Sequence, residues 1–153
     1  MPTQRAGPHI TNLTKAQRAL RQLAPDAHKE LKVASREIAE RIVVHARGQA
    51  STPQQAKAAQ SLRSRAGDTP TVALGSKAVP FALGAEFGGG RFRAGFPTPD
   101  GGYTSQFPPW RGNGTAAGYF LYPTVRNLGP WIGETYLEAL DDAVAKAARS
   151  GSP

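Results

Sequence analysis

A chain of 153 residues with 39% hydrophobic content is long enough to bury a core within a single domain. The absence of cysteine excludes disulfide staples, thiolate metal sites and cysteine nucleophiles, and no apolar run approaches the ~18 residues of a membrane span. The net charge of +8 sits in residues 1–65, which hold 12 Lys/Arg against 4 Asp/Glu, whereas residues 66–153 hold 7 against 7. That excess implies an anionic neighbour or a solvated basic face.

Residues 1–11 read as a flexible arm. The first acid is Asp26, so the N-terminal stretch has presequence-like charge, but it lacks serine and an apolar signal core. Thr11 or Asn12 caps a short helix ending near Ala24, and Pro25 suits the first turn of a second helix. From Asp26 to Ala46 the positions Leu31, Ala34, Ile38 and Ile42 recur at helical spacing, and Gly48 is the expected stop. Ser51-Thr52-Pro53 starts a third, Ala-rich helix that should close at Gly67. Residues 12–67 therefore read as helical and basic.

A turn at Asp68-Thr69-Pro70 leads into an expected hairpin over 68–87. Its first strand is TVALG. Its second is VPFALGAEFG, in which Phe81, Leu83, Ala85 and Phe87 alternate with smaller or polar residues. Residues 88–117 read as an extended loop or arm. The 35 positions from Gly84 to Gly118 hold ten of the 17 glycines and six of the 12 aromatics. Disordered segments are poor in aromatics, and a loop beyond ~12–15 residues is usually functional. Fully extended, it would span roughly 115 Å, against a domain radius of gyration of ~15 Å. It either folds back as a long hairpin or reaches off the domain. Residues 118–149 read as a strand, GYFLYP, and a closing helix interrupted at Gly129-Pro130. That helix carries an apolar stripe of Ile132, Tyr136, Leu140, Val144 and Ala147. Glu134, Glu138, Asp141 and Asp142 form an acidic face beside it, and residues 150–153 form a tail.

Catalytic patterns are sparse. His9, His28 and His45 are scattered and read as surface or capping groups, and Asp141-Asp142 diverge by about 100° on a helix. Gly112 to Ala117 matches GxGxx[GA] in letters, but the strand and helix that the motif needs do not flank it. Arg91 and Arg93 beside Phe92 and Phe96 allow phosphate contact and base stacking, or an assembly contact with arginine in it. Phe107 and Trp110 suit interface anchors.

The order of these segments resembles that of the neck and tail-completion proteins of long-tailed bacteriophages, which join the head connector to the tail tube. The residues that carry the resemblance are Ala85-Glu86-Phe87-Gly88, then Gln106-Phe107-Pro108-Pro109-Trp110-Arg111-Gly112, then Gly118-Tyr119-Phe120-Leu121-Tyr122-Pro123-Thr124-Val125-Arg126. Thr124 replaces the alanine the family places after that proline. The resemblance implies an α+β fold: a small antiparallel sheet packed by an N-terminal long helix and a C-terminal helix, with a long Gly/Pro/aromatic arm. It implies a non-enzymatic virion subunit without cofactor or metal, assembled in the host cytoplasm into a ring, sixfold, around the DNA channel. Its partners would be itself and the neighbouring head-connector and tail-tube proteins, with DNA as channel content and no membrane. The expected subunit interface comprises Glu86, Phe87, Phe92, Phe96, Tyr103, Phe107, Pro108, Pro109, Trp110, Tyr119 and Tyr122. Arg91, Arg93 and Arg111 would face DNA. A basic nucleic-acid-binding module is the competing reading.

Overall fold

The computed structural model describes residues 13–89, 96–97, 103–104 and 107–151. Helix α1 (Leu13–Leu23) runs directly into α2 (Pro25–Gln49), where Pro25 occupies the first turn. An N–H there would lack a helical partner, so the proline costs nothing. Leu31, Ile38 and Ile42 form the buried stripe of α2, and they pack against Tyr136, Leu140 and Ala143 of the long closing helix α5 (Leu121–Ser150). This helix pair is the centre of an α+β fold that is mostly helical. No helix among the described residues is long and apolar enough to cross a membrane.

Helix α3 (Pro53–Gln60) begins as its sequence predicts, with the Thr52 hydroxyl accepting from the Gln55 N–H at 3.1 Å. It stops about two turns short of Gly67. Arg47 explains the stop: reaching over from α2, its guanidinium donates to the carbonyls of Ala59 (3.2 Å) and Leu62 (2.9 Å). Those carbonyls are thereby satisfied without further helix. Leu62 turns into the core, and Arg63–Arg65 becomes strand β1.

The sheet is smaller than expected and differently composed. β1 pairs antiparallel with β2 (Thr71–Ala73) in the register Arg63↔Ala73, Ser64↔Val72, Arg65↔Thr71. The expected hairpin over 68–87 is thus replaced by one over 63–73. Its intended second strand is helix α4 (Ala82–Phe87). Two readings of one stretch compete there. Alternation would bury Leu83, but Leu83 is 63% exposed, and the buried set is Ala82, Ala85 and Glu86. That is an i, i+3, i+4 set, the period of a helix.

No strand forms over GYFLYP either: Gly118–Phe120 lead into the helix, and Leu121–Pro123 are the opening turn of α5. α5 continues unbroken through Pro130. Proline removes the rung to the carbonyl four residues earlier, but tertiary contacts hold the helix on both sides of it. Leu121 and Thr124 are buried before it, and Tyr136 and Leu140 after it. Within the long loop, β3 (Phe96–Pro97) and β4 (Tyr103–Thr104) pair antiparallel, so this part of the segment folds back on itself.

Candidate functional site

The three segments that carry the family resemblance converge at the N-terminus of α5. Their centre is Glu86, in the last turn of α4, with no exposed surface. One carboxylate oxygen accepts from the N–H of Phe120 at 3.1 Å and of Leu121 at 3.0 Å, and the other from Tyr122 at 2.8 Å. A helix leaves its first N–H groups without partners and concentrates positive potential there. Glu86 takes these three donors. The next residue, Pro123, has no N–H to satisfy, so the α5 N-terminus is closed.

Residues 107–118 are strapped across α4 and the start of α5. The Gly89 N–H donates to the Pro108 carbonyl (3.1 Å), the Arg111 N–H to Phe87 (2.6 Å), and the Gly118 N–H to Arg111 (2.7 Å). The Tyr119 hydroxyl donates to the Pro109 carbonyl at 2.6 Å, and Arg126 donates to the Ala117 carbonyl. Two glycines make this closeness possible. Gly88 (φ +81°) and Gly118 (φ +85°) adopt left-handed backbone, and a side chain on them would collide with the Pro109 carbonyl and the Glu86 carboxylate respectively. The Phe107 ring lies over the α4 backbone, where a Cβ on Gly84 would meet it at 2.6 Å.

On this base stands an aromatic surface. Phe87 is half-buried between Tyr122 (centroids 4.9 Å apart, edge-on at 68°) and Trp110 (6.4 Å). The Arg111 guanidinium lies 4.4 Å over the Tyr119 ring. Trp110 is 41% exposed and Tyr122 is 48% exposed. Tyr122 and Val125 continue into an apolar groove of about 400 Å³ bordered by Pro70, Val72 and Ile132.

The expected site residues therefore divide. Phe87, Phe107, Pro108, Pro109, Trp110, Arg111, Tyr119 and Tyr122 are brought together. Glu86, expected at a subunit interface, is instead sealed inside its own chain as the α5 cap. Phe96 and Tyr103 lie in the small β3–β4 ladder, and Arg91, Phe92 and Arg93 lie outside the described residues. The stretch from Phe107 to Ala117, expected as part of an extended loop or arm, is bound to its own chain.

A second cluster was not anticipated. Asp68, in the turn before β2, meets His28 (Nε2 to Oδ1, 2.7 Å) and forms an ion pair with Arg21. Its backbone carbonyl accepts from the Tyr136 hydroxyl (2.6 Å), from Gln17 (3.2 Å) and from Ser35 (3.4 Å). α1, α2 and α5 are thereby tied to one turn. Burial pushes the Asp68 carboxyl up, but the hydrogen bonds and charges of Arg21 and His28 outweigh it and hold it below its ordinary value. Burial raises the Tyr136 hydroxyl, against a hydrogen bond from Gln17. His28, read from the sequence as a surface or capping group, is buried. The signal was present in the sequence, since His28 precedes Leu31, Ser35 and Ile38 on one helical stripe. Among the described residues, no three His, Asp or Glu side chains gather as a metal site requires.

Comparisons with protein-family models, curated proteins and solved structures returned no match.

Proposed function

We propose that the chain is a structural subunit of the head–tail junction of a tailed bacteriophage, a neck or tail-completion protein that assembles as a ring, sixfold, around the DNA channel. The observation that carries the reading is spatial. Ala85–Gly88, Phe107–Gly112 and Gly118–Arg126, separate in sequence, form one body around the Glu86 carboxylate. That body presents Trp110 and Tyr122 outward, the residue types that anchor protein interfaces. Neighbouring subunits and the connector and tail-tube proteins are the partners in this reading, and the virion is its location.

Inactivating the gene in its phage tests it. The expected result is filled heads and separate tails in electron micrographs, with joining restored by the gene supplied in trans. Normal joined particles would overturn the proposal. The competing nucleic-acid reading would use the basic N-terminal part, where Lys15 and Arg18 are exposed and form no ion pair among the described residues. It requires DNA affinity at ~50 mM salt that falls steeply as salt rises, and a flat titration removes it.

A further inference from the structure

We infer that the chain associates with itself head to tail, the aromatic surface around Trp110 and Tyr122 of one copy seating on the acidic flank of α5 of the next. This rests on the assembly reading above and names the two surfaces that meet.

The first surface is apolar with a cationic rim. Tyr122 and Val125 are exposed at the start of α5 beside Trp110, and the groove past Pro70, Val72 and Ile132 extends the patch. Arg111, over Tyr119, and Arg126, on the Ala117 carbonyl, stand at its edge. Neither is paired with a carboxylate among the described residues. The carboxylate beside them, Glu86, is fully buried and occupied by the α5 N-terminus.

The second surface has the opposite sign. Glu134, Glu138, Asp141 and Asp142 are all exposed on α5, and none forms an ion pair among the described residues. The two fields cannot meet within one chain. Arg126 and Glu138 are separated by about 18 Å of helix axis and roughly 120° of rotation. Divergent complementary patches on one subunit make a heterologous contact, which closes into a ring or runs on as a filament and does not stop at a two-fold dimer. The chain itself supplies the field its cationic rim lacks, so a second copy is the occupant. Desolvation of Trp110 and Tyr122 would provide the affinity, while the rim charges set register and encounter rate.

Sedimentation of the purified full chain at 20 and 500 mM salt tests this with two variants. One is Glu138→Lys with Asp141→Lys, changes on exposed side chains that leave the fold intact. The other is Trp110→Ala with Tyr122→Ala. The wild type is expected to associate, more weakly at high salt; the aromatic variant should lose about thirtyfold or more in association constant, and the acidic reversal, which sets like charges against Arg111 and Arg126, a comparable amount. Mixed together, the variants should form a one-to-one heterodimer, because one retains the aromatic face and the other the acidic face. A monomeric wild type at low salt overturns the inference, as does association unaffected by the acidic reversal, or a mixture that yields no heterodimer. These outcomes are independent of whether the gene is needed for head–tail joining, which tests the phage reading alone.

Discussion

Glu86 and Asp68 are two carboxylates put to different uses, and their substitution should separate those uses. Glu86 satisfies three backbone donors in a fully buried setting. Glu86→Ala leaves those donors dry, which costs about 1–3 kcal/mol or more by the usual penalty for buried donors left without an acceptor. Urea unfolding should show that loss, and Glu86→Gln, which keeps one accepting oxygen, should lose less. A loss below ~1 kcal/mol for alanine would mean that water replaces the carboxylate. Asp68 should make the fold sensitive to acid. Its carboxyl titrates below the unfolded value of 3.8, so its contribution is complete above that value and disappears as pH falls through the folded value. Urea midpoints followed from pH 7 to pH 2 should therefore decline at the acid end. Asp68→Asn should be less stable at pH 7 and show a shallower decline. Equal declines in the two proteins would assign the acid sensitivity to other groups.

Among the elements, those written by a long period or a capping residue were legible in the sequence. α1, α2 and the start of α3 follow Pro25, the Leu31–Ile42 stripe and Thr52 closely. The errors arise where a distant side chain decides the outcome. Arg47 ends α3 from α2, and Glu86 converts GYFLYP from an apparent strand into a helix start. Nothing within six local residues carries that information. α4 shows a different failure: ALGAEF is short enough to satisfy both periods, and burial selects the helix. Two substitutions discriminate. Leu83→Lys on an exposed helix position should change stability by no more than about 0.5 kcal/mol. Ala85→Lys, at a position with no exposed surface, should cost several-fold more, about 3 kcal/mol or above. A strand would reverse the order at Leu83, and thermal melts of the two variants decide it.

For the molecule as a whole, the long Gly/Pro/aromatic segment has to be divided, and the division changes what a deletion means. Composition alone marks residues 84–118 as one anomaly, a single long loop or arm that folds back or reaches off the domain. Its C-terminal part is instead structural: Phe107, the prolines and Arg111 close over α4 and lead into the capped N-terminus of α5. The base of the remaining stretch is pinned, because the Gly89 N–H meets the Pro108 carbonyl across it. Replacing residues 91–105 by a short Gly-Ser bridge spans a closed gap and costs little, since loop entropy varies slowly with length. The expected product has near-native helix content and thermal stability but fails to join heads to tails when supplied to a phage lacking the gene. Removing 107–117 as well should lower stability sharply, because it strips the Phe87 carbonyl and the Gly84 face of their partners. If the shorter deletion restores normal joined particles, segment 91–105 has no role in assembly, and the contact must rest on the aromatic surface around Trp110 and Tyr122 alone.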